Sequence, residues 1–265
     1  MDLQFICKQT CHAAEAAGLF IQKERQSFSF EQVETKSFNQ LVSYVDKTSE
    51  EMLVHSLSNI LPEAGFITEE KTISSDEKEW MWVIDPLDGT TNFIHDLPVY
   101  SVSIGLLQNG KPKMGVVYEP NRKEMFYAWK DGGAYLNGKP INVKQNSELG
   151  KSLMATGFPY YDFKIMPQYL ETLSELMKTT QGMRRMGSAA VDLAYTACGR
   201  FDGFFEYGLS PWDVAGGIVL IEEAGGIVKD FSGGDDMTFG RTILACSSAI
   251  YPEFSSVIKK HFTSY

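Results

Sequence analysis

The stretch WVIDPLDGTTNF, residues 82–93, joins a hydrophobic segment to two aspartates and a Gly-Thr-Thr turn. Residues 82–84 predict the end of a buried strand, and Asp85 and Asp88 follow directly. A charged group beside a core is costly unless it has a partner. Because Pro86 stiffens the turn, the two carboxylates can converge on one point. A cation or a shared proton would relieve their repulsion there.

The same stretch predicts a binding site for a metal and a phosphate group. Oxygen ligands in a stiff turn suit Mg²⁺, which demands a small octahedral shell. Residues 89–91 would open a helix, where free backbone N–H groups bind anions. The motif alone leaves a plainer interpretation open, since an Asp-rich N-cap on a surface loop has the same composition.

Two further acidic residues strengthen the metal-site hypothesis. Glu69 in FITEE ends a short predicted strand, and Asp213 in SPWDVAGG stands at a predicted helix start. Each has an ordinary interpretation, a solvated Glu-Glu pair in the first case and a helix cap in the second. Asp213, however, is followed by an apolar run that predicts burial, and a buried carboxylate needs a partner.

Composition excludes several classes of partner. The 265 residues carry a net charge of −10, with no run of Lys and Arg longer than two, so we expect no nucleic-acid partner. We expect no membrane partner either, because no apolar window reaches 18 residues and the N-terminus lacks a signal-peptide pattern. The four cysteines form no CxxC pair, which favours reduced thiols and a cytoplasmic location.

The order of predicted elements indicates an α/β (α+β) layered protein with two lobes. Residues 1–144 form an N-terminal α+β lobe with an antiparallel sheet and most of the acidic candidates. Residues 145–265 form a C-terminal α/β lobe that carries Asp213. The main predicted helices are 3–24, 40–60, 165–178, 188–198, 213–224 and 251–262. In the first lobe, Asn109-Gly110 predicts a tight hairpin between strands 99–107 and 113–118.

Several motifs together resemble the inositol monophosphatase family. They are ITEE (67–70), WVIDPLDGTTNF, GSAAVDLAY (187–195), FDGFFEYG (201–208) and WDVAGGIVLIEEAGG (212–226). The resemblance covers roughly residues 5–262. It implies an αβαβα sandwich of the sugar-phosphatase type and a Mg²⁺-dependent, lithium-sensitive phosphate monoester hydrolase. It also implies two or three Mg²⁺ ions, no covalent intermediate, a homodimer, and a small phosphorylated polyol or nucleotide as substrate.

The resemblance also assigns roles to individual residues. The implied ligands of one Mg²⁺ are Glu69, Asp85 and the Leu87 carbonyl, and those of a second are Asp85, Asp88 and Asp213. The implied catalytic residues are Glu69 and Thr90, which orient the attacking water, and Asp46, which supports Thr90. The implied substrate contacts are Asp88, Gly89, Thr90, Ser188, Ala189 and Glu206.

The sequence departs from the family pattern at three positions. Lys36 and Asp46 are kept in KSFNQLVSYVD, but Gln40 stands where Asp is usual and Ser43 where Thr is usual. Ser210 occupies a position where some members carry His or Lys, which bears on substrate choice rather than on catalysis.

The sequence leaves several alternatives for the substrate and the mechanism open. Inositol monophosphate is the first candidate substrate. The alternatives are the 2′-phosphate of NADP, fructose 1,6-bisphosphate or another small phosphate ester, and a dual activity. A haloacid-dehalogenase-like phosphatase would attack phosphorus with an Asp, but its DxD spacing is missing. A non-catalytic binding protein of the same fold is the remote alternative. Arg184 and Arg185 would either pair with acidic neighbours or help to bind a second phosphate of a larger substrate.

Overall fold

The structure is a computed structural model that describes residues 1–37, 40–74, 76–145, 148–159 and 162–262. The side chains of residues 35–40, which include Lys36 and Gln40, lie outside the part of the structure that is described. The described helices are α1 Leu3–Arg25, α2 Tyr44–Ile60, α3 Thr90–Ile94, α4 Met166–Thr179, α5 Ala189–Ala197, α6 Pro211–Glu223 and α7 Tyr251–His261. The described strands are β1 Val33–Ser37, β2 Gln40–Ser43, β3 Gly65–Thr68, β4 Trp80–Asp88, β5 Ser101–Gln108, β6 Lys111–Glu119, β7 Glu124–Trp129, β8 Gly133–Leu136, β9 Lys139–Ile141, β10 Leu153–Thr156, β11 Gly182–Arg184, β12 Gly203–Tyr207, β13 Gly226–Lys229 and β14 Thr242–Ser247.

The larger sheet is a meander in the order β3-β4-β5-β6-β7-β8-β9. Its first pair is parallel and the others are antiparallel. The predicted hairpin is confirmed: β5 and β6 are joined by Asn109 at φ 50° and Gly110 at φ 75°, the left-handed pair that a two-residue hairpin turn requires.

The smaller sheet has the order β11-β10-β12-β14-β13 and is mixed. Strand β10 pairs in parallel with both β11 and β12, whereas β14 is antiparallel to its two neighbours. Parallel strands need crossover connections, and helices α4 and α5 lie in those connections. The alternation of helices and strands in the second half of the sequence arises from this arrangement.

The helices complete five layers. Helices α1 and α2 cover the outer face of the larger sheet, α5 and α6 lie between the two sheets, and α4 and α7 cover the outer face of the smaller sheet. The predicted αβαβα sandwich is confirmed. Within the described ranges, no helix combines the length and the apolar character that a bilayer crossing requires.

The division into two lobes at residue 145 stays a prediction. We propose it because the strands of the larger sheet end at Ile141 and those of the smaller sheet begin at Leu153. Helix α6 belongs to the second lobe in sequence but packs on the first sheet, so the two lobes share one interior.

One predicted helix boundary is wrong. The apolar spacing predicted a helix over 40–60, but α2 begins at Tyr44 and residues 40–43 pair with β1 instead. The side chain of Ser43 accepts a hydrogen bond from the backbone N–H of Val45 at 3.2 Å, and Asp46 accepts one from the N–H of Ser43 at 2.8 Å. This capping box starts the helix at residue 44, and the β1–β2 hairpin before it was missed.

Glycines bring α6 unusually close to the larger sheet. A Cβ added to Gly115 on β6 would lie 2.1 Å from the carbonyl oxygen of Gly216 on α6, and one added to Gly105 would lie 2.6 Å from the Cβ of Ala215. The hydroxyl of Ser103 on β5 also donates to the carbonyl of Trp212 at 3.2 Å. The first turn of α6 is therefore held against the end of the sheet that carries Asp85, which pairs with Ser103.

We expect Gly115→Ala to lower the free energy of unfolding by about 2–3 kcal/mol, because the added methyl group meets backbone atoms that cannot rotate away. Urea unfolding measured side by side with Gly150→Ala checks this, since a Cβ at Gly150 meets one atom at an ordinary 3.7 Å. Equal stability of the two variants would contradict the close approach.

Candidate metal centre and active site

A bulge at the end of β4 positions the first two aspartates. Asp85 pairs with Ser103 and Asp88 with Ser101, so two residues of β4, Pro86 and Leu87, face a single residue of β5. The N–H of Leu87 donates to Asp85 Oδ1 at 3.0 Å. Bulges of this kind redirect side chains, and here the two carboxylates enter the same acidic cluster.

Three carboxylates from two distant parts of the chain meet at this point. One oxygen each of Asp85, Asp88 and Asp213 lies within 4.8 Å of the others, and no other such group occurs in the part of the chain described. Asp213 stands in the first turn of α6, where it also accepts a hydrogen bond from the N–H of Ser210 at 2.7 Å. It is therefore both a helix cap and a member of the acidic cluster.

Glu69 joins the cluster from the end of β3. Its N–H donates to the carbonyl of Ile84 at 3.2 Å, which continues the pairing of β3 with β4. Its side chain lines the same pocket as Asp88 and Asp213, and its charge raises the pKa of Asp85 and of Asp213. The four acidic residues singled out in the sequence are thus brought together.

The carboxylates of the cluster repel one another. Burial, followed by the charges of Glu69, Asp88 and Asp213, raises the pKa of Asp85 well above its ordinary value. Burial and the charge of Asp88 raise the pKa of Asp213 in the same direction. Burial raises the pKa of Asp88 to about 6, although hydrogen bonds from Ser188 and Ala190 oppose the shift. Asp85 and Asp88 are buried and Asp213 is half-buried. Oxygen-only ligands that repel one another in this way fit a hard divalent cation such as Mg²⁺.

Thr90 is fixed beside the cluster. Its hydroxyl lies 3.0 Å from Asp46 Oδ1 and 3.0 Å from the carbonyl oxygen of Leu87. Asp46 is 1% exposed and accepts a further hydrogen bond from the hydroxyl of Ser43 at 2.7 Å. Ser43 thus retains the hydroxyl that threonine supplies in the family pattern. Asp46 lies behind Thr90 rather than in the pocket wall.

The predicted helix after the Gly-Thr-Thr turn exists but is short. Helix α3 has five residues, and Gly89 precedes it at φ 96°. A helix this short has a weak dipole, so the site offers individual backbone N–H groups rather than a strong helix field. A Cβ at Gly89 would also lie 3.1 Å from the carbonyl oxygen of Val99. Both the positive φ and this close contact favour glycine at position 89.

The opposite wall of the pocket comes from the second half of the chain. Asp88 Oδ2 accepts hydrogen bonds from the Ser188 hydroxyl at 2.5 Å and from the Ala190 N–H at 2.8 Å. These bonds tie β4 to the start of α5 and place Ser188 and Ala189 on the pocket wall. Glu206 on β12 lies on that wall, 6% exposed, and so close to Gly157 that a Cβ there would be 1.9 Å from its Oε1.

Sequence reasoning missed one buried acid of the pocket. The pocket has a volume of about 180 Å³, and Asp192 lines it together with Asp162 and Arg185. Asp192 is 1% exposed and lies on α5, whose sequence AAVDLAYTA is otherwise almost entirely apolar. A single carboxylate inside such a helix was the available signal, because burial of a charge needs a reason.

The fold is a layered α/β sandwich, and its pocket contains an acidic cluster that could hold a metal ion. The sequence matches the inositol monophosphatase family over residues 2–262. It is 37% identical over 249 residues to an inositol-1-monophosphatase of Mesorhizobium japonicum, covering 94% of each chain. It is 41% identical over 234 residues to the Nus factor SuhB of Escherichia coli K12, covering 88% of each.

Solved structures agree with these matches. The inositol monophosphatase of Anabaena is 36% identical, with a TM-score of 0.86 and complete coverage of both chains. The suppressor protein SuhB of Bartonella henselae is 37% identical, with a TM-score of 0.91 over 96% of this chain and 98% of that one. The chain belongs to the inositol monophosphatase family.

Proposed function

We propose that the chain is a Mg²⁺-dependent phosphate monoester hydrolase whose preferred substrate is an inositol monophosphate. The observation that carries this proposal is the convergence of Asp85, Asp88 and Asp213 within 4.8 Å at a pocket whose other wall holds Ser188 and Glu206. Phosphate monoester hydrolysis needs cations beside the phosphoryl group and polar groups around the leaving alcohol. The phosphatase activity of the family supports the reaction class.

The residues that would hold Mg²⁺ are Glu69, Asp85, Asp88, Asp213 and the carbonyl of Leu87. When bound, Mg²⁺ supplies Lewis-acid polarisation of the phosphoryl oxygens and lowers the pKa of coordinated water. We propose two or three ions, as the family resemblance implies. Sensitivity to lithium belongs to the same proposal.

The chain's own groups would position the reactants. Thr90, oriented by Asp46, and Glu69 would hold the attacking water in line with the leaving oxygen. The backbone N–H groups of Gly89 and Thr90 would bind the phosphate oxygens, as free amides at a chain turn do. Glu206 would accept hydrogen bonds from hydroxyls of the leaving alcohol, together with Ser188 and Ala189.

The partner in this proposal is a small phosphorylated molecule rather than a nucleic acid, because the chain carries a net charge of −10. NADP, through its 2′-phosphate, and fructose 1,6-bisphosphate remain the alternative substrates. The homodimer and the cytoplasmic location stay predictions.

Release of inorganic phosphate tests the proposal. Inositol 1-phosphate, fructose 1,6-bisphosphate and NADP are assayed at saturating Mg²⁺ and again with excess EDTA. We expect the highest kcat/KM with inositol 1-phosphate and loss of activity in EDTA that Mg²⁺ restores. Activity that persists in EDTA, or no release from any of the three esters, would overturn the proposal.

The stereochemical course separates this reaction from that of an aspartyl-phosphate enzyme. Direct attack by water inverts the configuration at a chiral phosphorus, whereas two successive displacements retain it. We expect inversion, and retention would instead favour the haloacid-dehalogenase-like mechanism.

A further inference from the structure

Helix α2 turns three buried polar side chains toward the candidate site. Asp46, Ser49 and Glu50 are 1%, 0% and 0% exposed, and their spacing of three and four residues places them on one face of the helix. Asp46 accepts a hydrogen bond from the hydroxyl of Thr90 at 3.0 Å, and Ser49 donates one to the carbonyl of Pro86 at 3.2 Å. Two segments of the site are thus fastened to α2, and Glu50 fastens a third.

The carboxylate of Glu50 holds the turn that follows Glu69. One of its oxygens accepts a hydrogen bond from the N–H of Glu70 at 2.7 Å, and the other accepts bonds from the N–H and the hydroxyl of Thr72, both at 2.8 Å. Lys71, between the two donors, has a φ of 57°, which residues other than glycine rarely adopt. Hydrogen bonds to a carboxylate are strong, and here they stabilise the curled backbone.

Glu69 therefore stands between two fixed points of the backbone. On the strand side, its own N–H donates to the carbonyl of Ile84 at 3.2 Å. On the loop side, the next residue is held by Glu50, whereas residues 71–74 are exposed. Because surface loops are more mobile than the elements they connect, we expect the bonds to Glu50 to limit how far the side chain of Glu69 can turn away from the acidic cluster.

We propose that Glu50 is a positioning residue that, through the N–H groups of Glu70 and Thr72, fixes Glu69 at the acidic cluster and so sets the affinity of the site for Mg²⁺. The inference rests on the proposed function, in which Glu69 binds Mg²⁺ and orients the attacking water. Glu50 does not line the pocket in the described part of the chain, so it acts through Glu69. Groups that orient metal ligands in this way contribute substantially to metal affinity.

Glu50→Gln tests the proposal. Glutamine keeps the size of the side chain, but its NH₂ group must replace one of the two accepting oxygens and meet the N–H of Glu70 or of Thr72. Titration calorimetry measures the Kd of Mg²⁺, and phosphate release from inositol 1-phosphate measures kcat and KM at saturating Mg²⁺. We expect a Kd about tenfold higher and a kcat about tenfold lower. KM should change less than about threefold, because the groups proposed to hold the alcohol lie on the opposite wall.

Glu119→Gln is the matched control. Glu119 is 1% exposed and likewise accepts three hydrogen bonds, from the N–H and the side-chain amide of Asn121 and from the N–H of Arg122, at 2.8–3.0 Å. It stands at the end of β6, outside the pocket lining of the described residues. The control should lose stability as Glu50→Gln does, while its Kd for Mg²⁺ and its kcat stay within about twofold of wild type.

A double-mutant cycle shows whether Glu50 acts through Glu69. The Kd of Mg²⁺ is measured for Glu69→Gln alone and for Glu69→Gln combined with Glu50→Gln. If Glu50 serves to position Glu69, its replacement adds less than about twofold once Glu69 has lost its charge. Two independent effects on the site would multiply instead.

The other outcomes decide against the inference. It is overturned by a Kd in Glu50→Gln within about twofold of wild type, by an equal rise in Glu119→Gln, or by effects that multiply in the cycle. Should Glu50→Gln not fold, Thr72→Val removes one of the three bonds at an exposed position. A rise in Kd of about threefold would then support the inference, and an unchanged Kd would overturn it.

Failure of the proposed function gives a different result. A wild type that binds Mg²⁺ but releases no phosphate from inositol 1-phosphate would overturn the proposed substrate, while the comparison of Mg²⁺ affinities would still decide the role of Glu50. A wild type that does not bind Mg²⁺ would overturn both.

Discussion

Asp88→Asn is expected to lower turnover about a thousandfold or more and to weaken Mg²⁺ binding. Asp88 is one of the three carboxylates that lie within 4.8 Å of one another, and removing its charge weakens cation binding and transition-state stabilisation together. The side-chain oxygen of asparagine can still accept the hydrogen bonds from Ser188 and Ala190. The variant therefore tests the charge rather than the fold. Steady-state phosphate release and calorimetric Mg²⁺ titration measure the two effects.

Two further variants calibrate this result. Asp202→Asn replaces a buried aspartate that pairs with Lys144 and lies outside the pocket, so we expect its turnover within about threefold of wild type. Ser188→Ala removes the 2.5 Å hydrogen bond to Asp88 but keeps the carboxylate. It should lower turnover by about tenfold to a hundredfold, since one hydrogen bond to a charged group is worth about 1.5–3 kcal/mol. Turnover of Asp88→Asn within tenfold of wild type would remove Asp88 from the centre of the mechanism.

Mg²⁺ is expected to raise the melting temperature little at pH 5 and by about 5 °C or more at pH 8. A ligand at about 100 times its Kd stabilises by about 2.7 kcal/mol, and each kcal/mol is worth about 2–4 °C in a chain of this size. At low pH protons neutralise the cluster and compete with the metal, because ligands must be deprotonated to bind it.

The direction of this pH dependence follows from the raised pKa values. The pKa of Asp88 is raised from 3.8 to about 6, so its stabilising effect in the metal-free protein is complete below about pH 4 and is lost as the pH rises through 6. The raised pKa values of Asp85 and Asp213 extend that loss to higher pH. Mg²⁺ binds the ionised form and offsets the loss, so the two melting curves diverge as the pH rises.

Differential scanning calorimetry from pH 5 to pH 8 measures the divergence, with EDTA in one series and Mg²⁺ in the other at matched ionic strength. Asp85→Asn serves as the control variant, in which the response to Mg²⁺ should shrink at every pH. A difference between the two series that stays constant across the range would contradict the assignment of these carboxylates as the metal site.

The parts of the site that lie close together in sequence were predictable from local chemistry. Asp85 and Asp88 follow a buried strand in a stiff turn, and that pattern alone indicates convergent carboxylates. The meeting of Glu69 and Asp213 with them depends on sheet register and on the close approach of α6 to Gly115. Periodicity carries no information about such long-range contacts, and the family resemblance supplied them.

The two errors arose because contacts between different parts of the chain decide the structure at these positions. Residues 40–43 have apolar spacing that suits a helix or a strand, and pairing with β1 decides for the strand. Asp192 was missed because a single acid in an apolar helix carries no spacing motif. Its place beside Arg185 and Glu206 depends on how α5 packs between the two sheets.

The anomalous difference map of crystals soaked in Mn²⁺, a stand-in for Mg²⁺, tests the central claim most directly. The account predicts a peak bounded by the carboxylates of Asp85, Asp88 and Asp213, with Glu69 and the Leu87 carbonyl close enough to ligate a neighbouring ion. A map whose strongest peak lies away from these carboxylates, or one without a peak among them at saturating Mn²⁺, would contradict it.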